Sequence, residues 1–254
     1  MPRAESGDVT TIPHRIARGS ASAHRVKRAF DITACLALAT VTLPIVIAIA
    51  AAIRLDSPGP VLYKARRVGR HGRHFRMLKF RTMVDGAELL LQDCAHLNVA
   101  TGMVKIPDDP RVTRTGRWLR RFSLDELPQV YNVLAGHMSL VGPRPHDVDE
   151  LPQSVFDQDR RLAMRPGLTG LWQVSARSNP SLDHRIHYDT KYVNGWSLAM
   201  DARILARTVP VIMRGTGGRV QIQNADRATG TGGGGLNFEA NGGELTASPS
   251  QSAT

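Results

Sequence analysis

An apolar run near the N-terminus, from Ile32 to Ile53, constrains the fold more than any other stretch, because its 22 residues carry no charged side chain. As a helix rising about 1.5 Å per residue, the run is long enough to cross a hydrocarbon core of about 30 Å. Pro44 removes a backbone hydrogen bond near the middle and predicts a kink. Basic residues lie on both sides, at positions 25–28 and at Arg54, which favours a cytoplasmic location for both ends.

Three interpretations of this run are open. It could be a re-entrant helix over residues 25–54 that is broken at Pro44, a straight membrane span, or a cleaved signal peptide. The sequence Ala48-Ile49-Ala50 resembles a cleavage site, but the run is longer than the usual signal core of about 7–15 residues. We expect the re-entrant arrangement, because it accommodates both the proline and the two basic flanks.

The charge of the chain predicts an anionic partner. The 254 residues carry a net charge of +11 and the isoelectric point is about 10.6, as in proteins that bind nucleic acid, anionic lipid or phosphorylated substrates. Basic side chains are densest between Lys64 and Arg81, just beyond the apolar run. Such a position favours anionic membrane lipid, although a solvated basic face would produce the same pattern. We expect no nucleic acid partner, because few aromatic residues interleave with the bases and no nucleic-acid motif is present.

A second distinctive stretch runs from Arg111 to Pro145, where five arginines precede the adjacent acids Asp125 and Glu126. Nearby positive charge favours the ionised carboxylate, and an ionised Asp can act as a nucleophile or a metal ligand. A structural alternative is a capping box, in which Ser123 and Glu126 begin a helix that ends at Gly136. Pro128 fits this alternative poorly and favours a helix start nearer Leu127.

Local patterns predict the remaining elements. Short strands are expected at 61–63 and 75–80 around a turn at 70–72, with helices at 85–97, 184–193 and 198–214. Residues 165–170 are expected to form a loop that enters a strand at 171–174. Arg144 lies between two prolines that restrict its backbone, which suits a phosphate-binding arginine or an ordinary solvated turn. Cys35 and Cys94 make no disulfide framework and are expected to be reduced thiols.

Several motifs in a fixed order make the chain resemble the bacterial sugar transferases, the monotopic polyprenol-phosphate phosphoglycosyl transferases of exopolysaccharide priming. The resemblance extends from about Lys27 to Arg214. Its motifs are Lys27-Arg28-Ala29-Phe30-Asp31, Lys79-Phe80-Arg81-Thr82-Met83, Ser123-Leu124-Asp125-Glu126-Leu127-Pro128-Gln129, Gly142-Pro143-Arg144-Pro145, and Arg165-Pro166-Gly167-Leu168-Thr169-Gly170 with Gln173-Val174.

The resemblance implies an α+β, predominantly helical, monotopic membrane protein at the cytoplasmic face of the bacterial inner membrane. The expected domains are a disordered N-terminal arm (1–24), a re-entrant membrane helix (25–54), a cytoplasmic sugar transferase catalytic domain (55–214) with short strands and amphipathic interface helices, and a disordered Gly-rich tail (215–254). The implied reaction transfers a hexose-1-phosphate from a UDP-sugar to a polyprenol phosphate. Neither the sugar nor the oligomeric state follows from the sequence.

Roles carried over from the family fall on named residues of this chain. Asp125 is the implied nucleophile and Glu126 assists a Mg²⁺ ion, so both are expected to be metal ligands. Residues expected to bind substrate are Lys79, Arg81, Arg120, Arg144 and Arg177. The alternative function is that of a non-enzymatic, membrane-anchored basic protein, which would have no need of a carboxylate pair among these cations.

This chain departs from the family pattern at three places. Leu43 stands before Pro44 where relatives often have serine, so Thr42 is expected to supply the lost side-chain hydrogen bond. His137 replaces a common aspartate and Ala176 replaces a common glycine. None of these departures touches Asp125 or Glu126.

Overall fold

The computed structural model describes residues 20–99, 104, 106–148, 160–177 and 181–215. Its helices and strands are α1 (Ala21–Asp56), β1 (Leu62–Val68), β2 (His74–Phe80), α2 (Arg114–Arg121), α3 (Gln129–Leu134), β3 (Ser139–Val141), β4 (His146–Asp147), β5 (Gly167–Thr169), α4 (Leu171–Ser175), α5 (Leu182–Gly195) and α6 (Leu198–Met213). Short 3-10 turns occur at Arg70–Gly72, Ala95–Leu97, Leu124–Glu126 and Arg160–Ala163. This mixture of helices and short strands confirms the α+β class.

The strands form two small sheets. In the first, β1 lies between β2 and β4 and pairs antiparallel with both. His71 and Gly72 close the β1–β2 hairpin with positive φ angles of 57° and 72°, so the predicted turn is confirmed. In the second sheet, β3 pairs parallel with β5. A Cβ atom on Gly167 would lie 2.1 Å from the backbone nitrogen of Gly142, so this crossing requires glycine.

The apolar core consists mainly of two clusters, and α1 contributes to both. Cys35 packs in the larger cluster with Val133, Met138 and Tyr192, all of which are fully buried. The smaller cluster joins Ile49 and Ile53, near the other end of α1, to Phe80 and Leu119. Both Cys35 and Cys94 are buried free thiols, which confirms the prediction that no disulfide forms between them.

The N-terminal end of α1 is anchored by polar contacts. Lys27 Nζ donates to Asp201 Oδ2 at 2.7 Å and to the Val141 carbonyl at 2.9 Å. Asp31 accepts from the Ser139 hydroxyl at 2.7 Å. The helix starts four residues before the expected boundary at 25, because the Ser20 hydroxyl caps its first turn. The rest of the predicted arm (1–19) and nearly all of the predicted tail (216–254) lie outside the described residues.

The middle of α1 is exposed and apolar. Val41, Leu43 and Ile47 are respectively 74%, 56% and 62% exposed, and the helix is long and apolar enough to cross a membrane. Pro44 lies within α1 without interrupting it, so the structure does not show the predicted break in the helix. The Thr42 hydroxyl donates to the Leu38 carbonyl at 2.7 Å, which is the kind of bond expected of it beside this proline.

Two predicted elements are wrong. Residues 85–97 form successive turns and one 3-10 turn instead of a helix, with bonds that join each N–H to the carbonyl three residues earlier, as in Leu89 to Gly86. Residues 171–174 form the helix α4 and not a strand, while the preceding loop contains β5. Short apolar runs do not distinguish a strand from a buried helix by periodicity. The predicted helices at 184–193 and 198–214 are confirmed as α5 and α6.

Candidate active site

A cavity of about 710 Å³ opens beside the β1–β2 hairpin and brings together every residue predicted to bind or transform substrate. These residues come from separate parts of the chain and line one wall or another of the cavity: Lys79, Arg81, Arg120, Asp125, Glu126, Arg144 and Arg177. The grouping supports a single site, because the sequence separates Lys79 from Arg177 by almost a hundred positions.

The β1–β2 hairpin places some basic residues between Lys64 and Arg81 on an exposed face and others in the wall of the cavity. Side chains of a strand alternate between its faces. Arg66 and Arg76, which pair across the hairpin, are exposed, whereas Arg67 and Lys79 line the cavity. Most bases of the segment therefore form a solvated face, and only a minority reach the site.

Asp125 and Glu126 lie on a 3-10 turn and not in the first turn of a helix. Ser123 adopts a left-handed conformation (φ 57°), and α3 begins only at Gln129, after Pro128. The capping box is therefore wrong, and the alternative of a later helix start is confirmed. The Ser123 hydroxyl accepts a hydrogen bond from Arg177 Nη1 at 2.7 Å instead of capping the helix.

Glu126 is the charged member of the acidic pair. Its Oε1 lies 3.5 Å from Arg144 Nη1 and 3.8 Å from Lys79 Nζ. Burial pushes the pKa of Glu126 upward, but the attraction of Arg144, Lys79 and Arg177 is stronger and holds the pKa near 2, well below the usual range. Lys79 is itself buried, and burial lowers its pKa against the opposing attraction of Glu126.

At Asp125, burial opposes the effect that is expected of the arginines. Only 8% of Asp125 is exposed, and burial raises its pKa above the usual range. The repulsion of Glu126 adds to this effect, while Lys79, Arg120 and Arg177 oppose it without overcoming it. The cations of the cavity thus lower the pKa of Glu126, whereas burial raises that of Asp125, and additional positive charge in the cavity would lower the pKa of Asp125.

Arg120 and Arg81 have different surroundings. Arg120 Nε donates to the Thr82 hydroxyl at 2.9 Å, which directs its guanidinium along the cavity wall. Arg81 donates instead to the carbonyls of Ser57 and Pro58 at 2.7 and 2.6 Å. Arg81 lines the cavity, but these bonds hold the chain that leaves α1, so its substrate-binding role stays a prediction that the geometry does not favour.

The cavity also contains polar residues that sequence reasoning did not assign to the site. They are Tyr63, Arg67, Thr82, Asp85 and Glu88. Thr82 belongs to the same motif as Lys79 and Arg81, so its place in that motif could have indicated that it lines the site. Tyr63 donates to Glu88 Oε1 at 2.9 Å across a loop, and no local pattern indicates this contact.

A family model described as "Bacterial sugar transferase" matches residues 22–215, which is most of the chain. The chain belongs to the bacterial sugar transferase family. The matched residues include α1, both sheets and every residue of the candidate site.

Curated relatives in this family carry informative names. The chain is 44% identical over 195 residues to a galactosyl transferase, CpsE, of Streptococcus agalactiae, covering 76% of this chain and 43% of that protein. It is 42% identical over 201 residues to an undecaprenyl-phosphate galactose phosphotransferase of Salmonella typhimurium, covering 77% of this chain and 42% of that protein. It is 40% identical over 191 residues to the exopolysaccharide production protein ExoY of Sinorhizobium fredii, covering 73% of this chain and 84% of that protein. The chain thus spans less than half the length of the first two relatives and most of the third.

The structure shows the contacts or conformation of two residues that depart from the family pattern, His137 and Ala176. The His137 ring stacks on Phe75 with ring centroids 5.8 Å apart, so it packs against the hairpin. Ala176 ends α4 with a φ of −146°, a negative value that does not require glycine. Arg177 follows directly and reaches Ser123.

The acidic pair has the composition of a magnesium site that substrate completes. No group of three or more His, Cys, Asp or Glu side chains suited to a metal occurs among the residues described. Mg²⁺ is often bound by one or two carboxylates, with substrate phosphates and water supplying the other ligands. Asp125 and Glu126 fit that role, because they are adjacent, line the cavity and provide only oxygen donors.

Proposed function

We propose that this chain transfers a sugar-1-phosphate, with hexose-1-phosphate the expected cargo, from a UDP-sugar to undecaprenyl phosphate, and so primes synthesis of an exopolysaccharide or related glycoconjugate. The observation that carries the proposal is the placement of Asp125 and Glu126 in one cavity with Lys79, Arg144 and other cations. The names of the relatives from Salmonella typhimurium and Sinorhizobium fredii support the acceptor and the pathway class.

In the first step, a carboxylate oxygen of Asp125 attacks the β-phosphorus of the UDP-sugar. A bond forms between that oxygen and phosphorus, the bond to the bridging oxygen breaks, and UMP leaves with the electron pair. Sugar phosphate remains attached to Asp125. Arg144, Arg120 and Arg177 neutralise charge on the phosphate oxygens, which is the main requirement of phosphoryl transfer.

In the second step, a phosphate oxygen of the lipid attacks the same phosphorus and releases the Asp125 carboxylate. The product is the polyprenol diphosphate sugar. Dividing one displacement into two through a covalent intermediate predicts ping-pong kinetics. Both steps use the same cations, because the lipid phosphate replaces UMP in the same cavity.

Asp125 and Glu126 would hold the Mg²⁺ ion together with substrate phosphates. Its chemistry there is electrostatic: positive charge that stabilises phosphate oxygens and favours ionised carboxylates. Glu126 is already paired with Arg144 and Lys79, so its charge is available without a proton transfer. The positive charge of the ion would affect the ionisation of Asp125 most, because burial raises the pKa of this carboxyl in the free protein.

We propose that α1 is re-entrant and lies at the cytoplasmic face of the inner membrane, and contacts at its two ends support the re-entrant arrangement. Arg28 donates to the carbonyls of Val133 and Leu134, at the C-terminal end of α3. Ile53 packs in a cluster with Leu127, which precedes α3. Contact of both ends with the same domain supports a location of both ends on one side of the membrane.

The deciding experiment incubates the full chain in membranes with undecaprenyl phosphate, Mg²⁺ and a panel of radiolabelled UDP-sugars. We expect one or more sugars to enter the lipid fraction, and label to attach to the protein when the lipid acceptor is omitted. Asp125→Asn should abolish both signals, lowering turnover by about four orders of magnitude, while the buried neutral amide leaves the fold intact. Asp93→Asn, at an exposed position, is the matched control. Lipid or nucleic acid binding without any transfer would replace this function with the non-enzymatic alternative.

A further inference from the structure

Asp189 is a buried carboxylate beside the candidate site that the proposed mechanism does not use. It lies on α5, is completely buried, and lies among the charged side chains of Arg161 and Arg185. Its Oδ2 accepts a hydrogen bond from the backbone nitrogen of Arg144 at 3.2 Å. Its Oδ1 has no hydrogen-bond partner among the described residues.

The bond to Arg144 has particular weight because of the prolines on both sides. Proline has no backbone N–H, so Arg144 supplies the only backbone donor within Pro143-Arg144-Pro145. Asp189 accepts from that donor. The turn is held on its other side by the Pro143 carbonyl, which accepts from the Gly167 nitrogen at 2.8 Å.

The arginine side chain extends from this anchored turn into the site. Its guanidinium approaches Glu126 and lies over the Trp172 ring, with Cζ 5.8 Å from the ring centroid. A shift of the Arg144 backbone would therefore move the guanidinium relative to both neighbours. Small displacements of a group that acts on the transition state reduce rates strongly.

Neutralisation of the buried Arg161 and Arg185 would account for a carboxylate at this position, but it would not direct one oxygen to the backbone of Arg144. Burial raises the pKa of Asp189 to about 7, although Arg161 and Arg185 oppose the shift. Removing one member of a buried group of opposite charges is destabilising, because it leaves the remaining charge uncompensated, so Asp189 also contributes to the stability of the fold. Charge neutralisation does not require either oxygen to face Arg144, whereas Asp189 Oδ2 makes a directed bond to the backbone of the Arg144 turn.

We propose that Asp189 is a positioning residue, which holds the backbone of Arg144 so that the guanidinium faces Glu126 and the phosphates of the substrate. The contact of Arg144 with substrate phosphates rests on the proposed function. The position of the Arg144 backbone is a property of the fold alone, and it can be measured without substrate.

The test uses the full chain labelled with 5-fluorotryptophan, in which Trp118, Trp172 and Trp196 give separate ¹⁹F resonances assigned by Trp→Phe variants. Asp189→Ala removes the acceptor, and Asp189→Asn keeps an oxygen that can accept from Arg144. We expect the Ala variant to move the Trp172 resonance in the direction that Arg144→Ala moves it. We expect the Asn variant to move it less than half as far.

Kinetics supply the second measurement. Asp189→Ala should lower kcat/KM for the UDP-sugar roughly 10- to 100-fold, and this effect should vanish in the Arg144→Ala background. Asp201→Asn is the control, because Asp201 is also a buried carboxylate but accepts from Lys27 and from Trp196 Nε1 at 3.1 Å. It should move the Trp196 resonance, leave that of Trp172 in place, and show additive effects with Arg144→Ala.

Three results would each overturn the proposal. The Trp172 resonance could stay in place in Asp189→Ala, or it could shift as far in the Asn variant as in the Ala variant. The third is an equal loss of kcat/KM when Asp189→Ala is made in the Arg144→Ala background. If the Ala variant does not fold, Asp189→Asn decides alone: Trp172 at the parent position supports the proposal, and Trp172 at the Arg144→Ala position overturns it. A parent protein without transferase activity would reject the proposed function, while the ¹⁹F comparison would still judge the position of Arg144.

Discussion

Arg144 Nη1 lies 3.5 Å from Glu126 Oε1, and the same Glu126 oxygen lies 3.8 Å from Lys79 Nζ. Two cations from different elements thus share one carboxylate in the cavity wall. Both distances exceed those of close charge-assisted hydrogen bonds. The guanidinium of Arg144 is therefore paired in charge but keeps donor capacity for a phosphate.

Arg144→Lys is expected to weaken use of the UDP-sugar although the charge is retained. Lysine lacks the planar fork that binds two phosphate oxygens, and it would not lie over Trp172 in the same way. We expect kcat/KM to fall roughly 10- to 100-fold, as measured by steady-state transfer into lipid. Arg66→Lys, at an exposed strand position, is the control. Unchanged kinetics in Arg144→Lys would identify Arg144 as an ordinary turn residue.

Arg81→Met is expected to affect stability more than substrate binding. The substitution leaves the carbonyls of the half-buried Ser57 and the exposed Pro58 without their donor, and each lost hydrogen bond costs about 0.5–1.5 kcal/mol. Denaturation of the detergent-solubilised protein should show a lower free energy of unfolding, while the KM for UDP-sugar in the folded fraction stays near the parent value. Arg76→Met on the exposed face of β2 serves as the control. A raised KM with unchanged stability would instead support the substrate-binding assignment.

Stability should depend on pH through Asp189. The pKa of this carboxyl is about 7 in the folded protein, against an ordinary value of 3.8. Between these values the folded state keeps a proton that the unfolded state has lost, so the contribution of Asp189 to stability falls as pH rises. Relative to Asp189→Asn, which does not titrate, the parent should lose about 2–3 kcal/mol of unfolding free energy between pH 5 and pH 8. Parallel pH profiles for the two proteins would contradict this prediction.

The topology of α1 can be tested by thiol labelling. With Cys35 and Cys94 replaced, a cysteine at Ser20 should resist a membrane-impermeant reagent in intact spheroplasts and react after lysis, because both ends of a re-entrant helix lie on the cytoplasmic side. A cysteine at the exposed Asp93 marks the side of the catalytic domain. Labelling at position 20 before lysis, with protection at position 93, would require a helix that spans the bilayer.

Local chemistry explains which elements could be predicted. The turn of the hairpin, strand β2 and the helices α5 and α6 follow from local patterns. Strand β1 is predicted only at 61–63, but it extends to Val68. The helix at 85–97 fails because Leu89 and Leu90 supply an apolar pattern but remain largely exposed, at 85% and 42%. Without burial of an apolar face, a short helix has little to stabilise it.

The sequence alone determined the long apolar helix, its basic flanks and the motifs that place the chain in its family, because these depend on residue type and spacing. Only the tertiary structure decided which basic side chains reach the cavity, since Arg66 and Arg67 differ in nothing but the strand face they occupy. It also decided that Ser123 binds Arg177 instead of capping a helix, and that Asp125 and Glu126, neighbours in sequence, have pKa values shifted in opposite directions. Burial and distance to charge set such properties, and both arise from contacts between residues far apart in the chain.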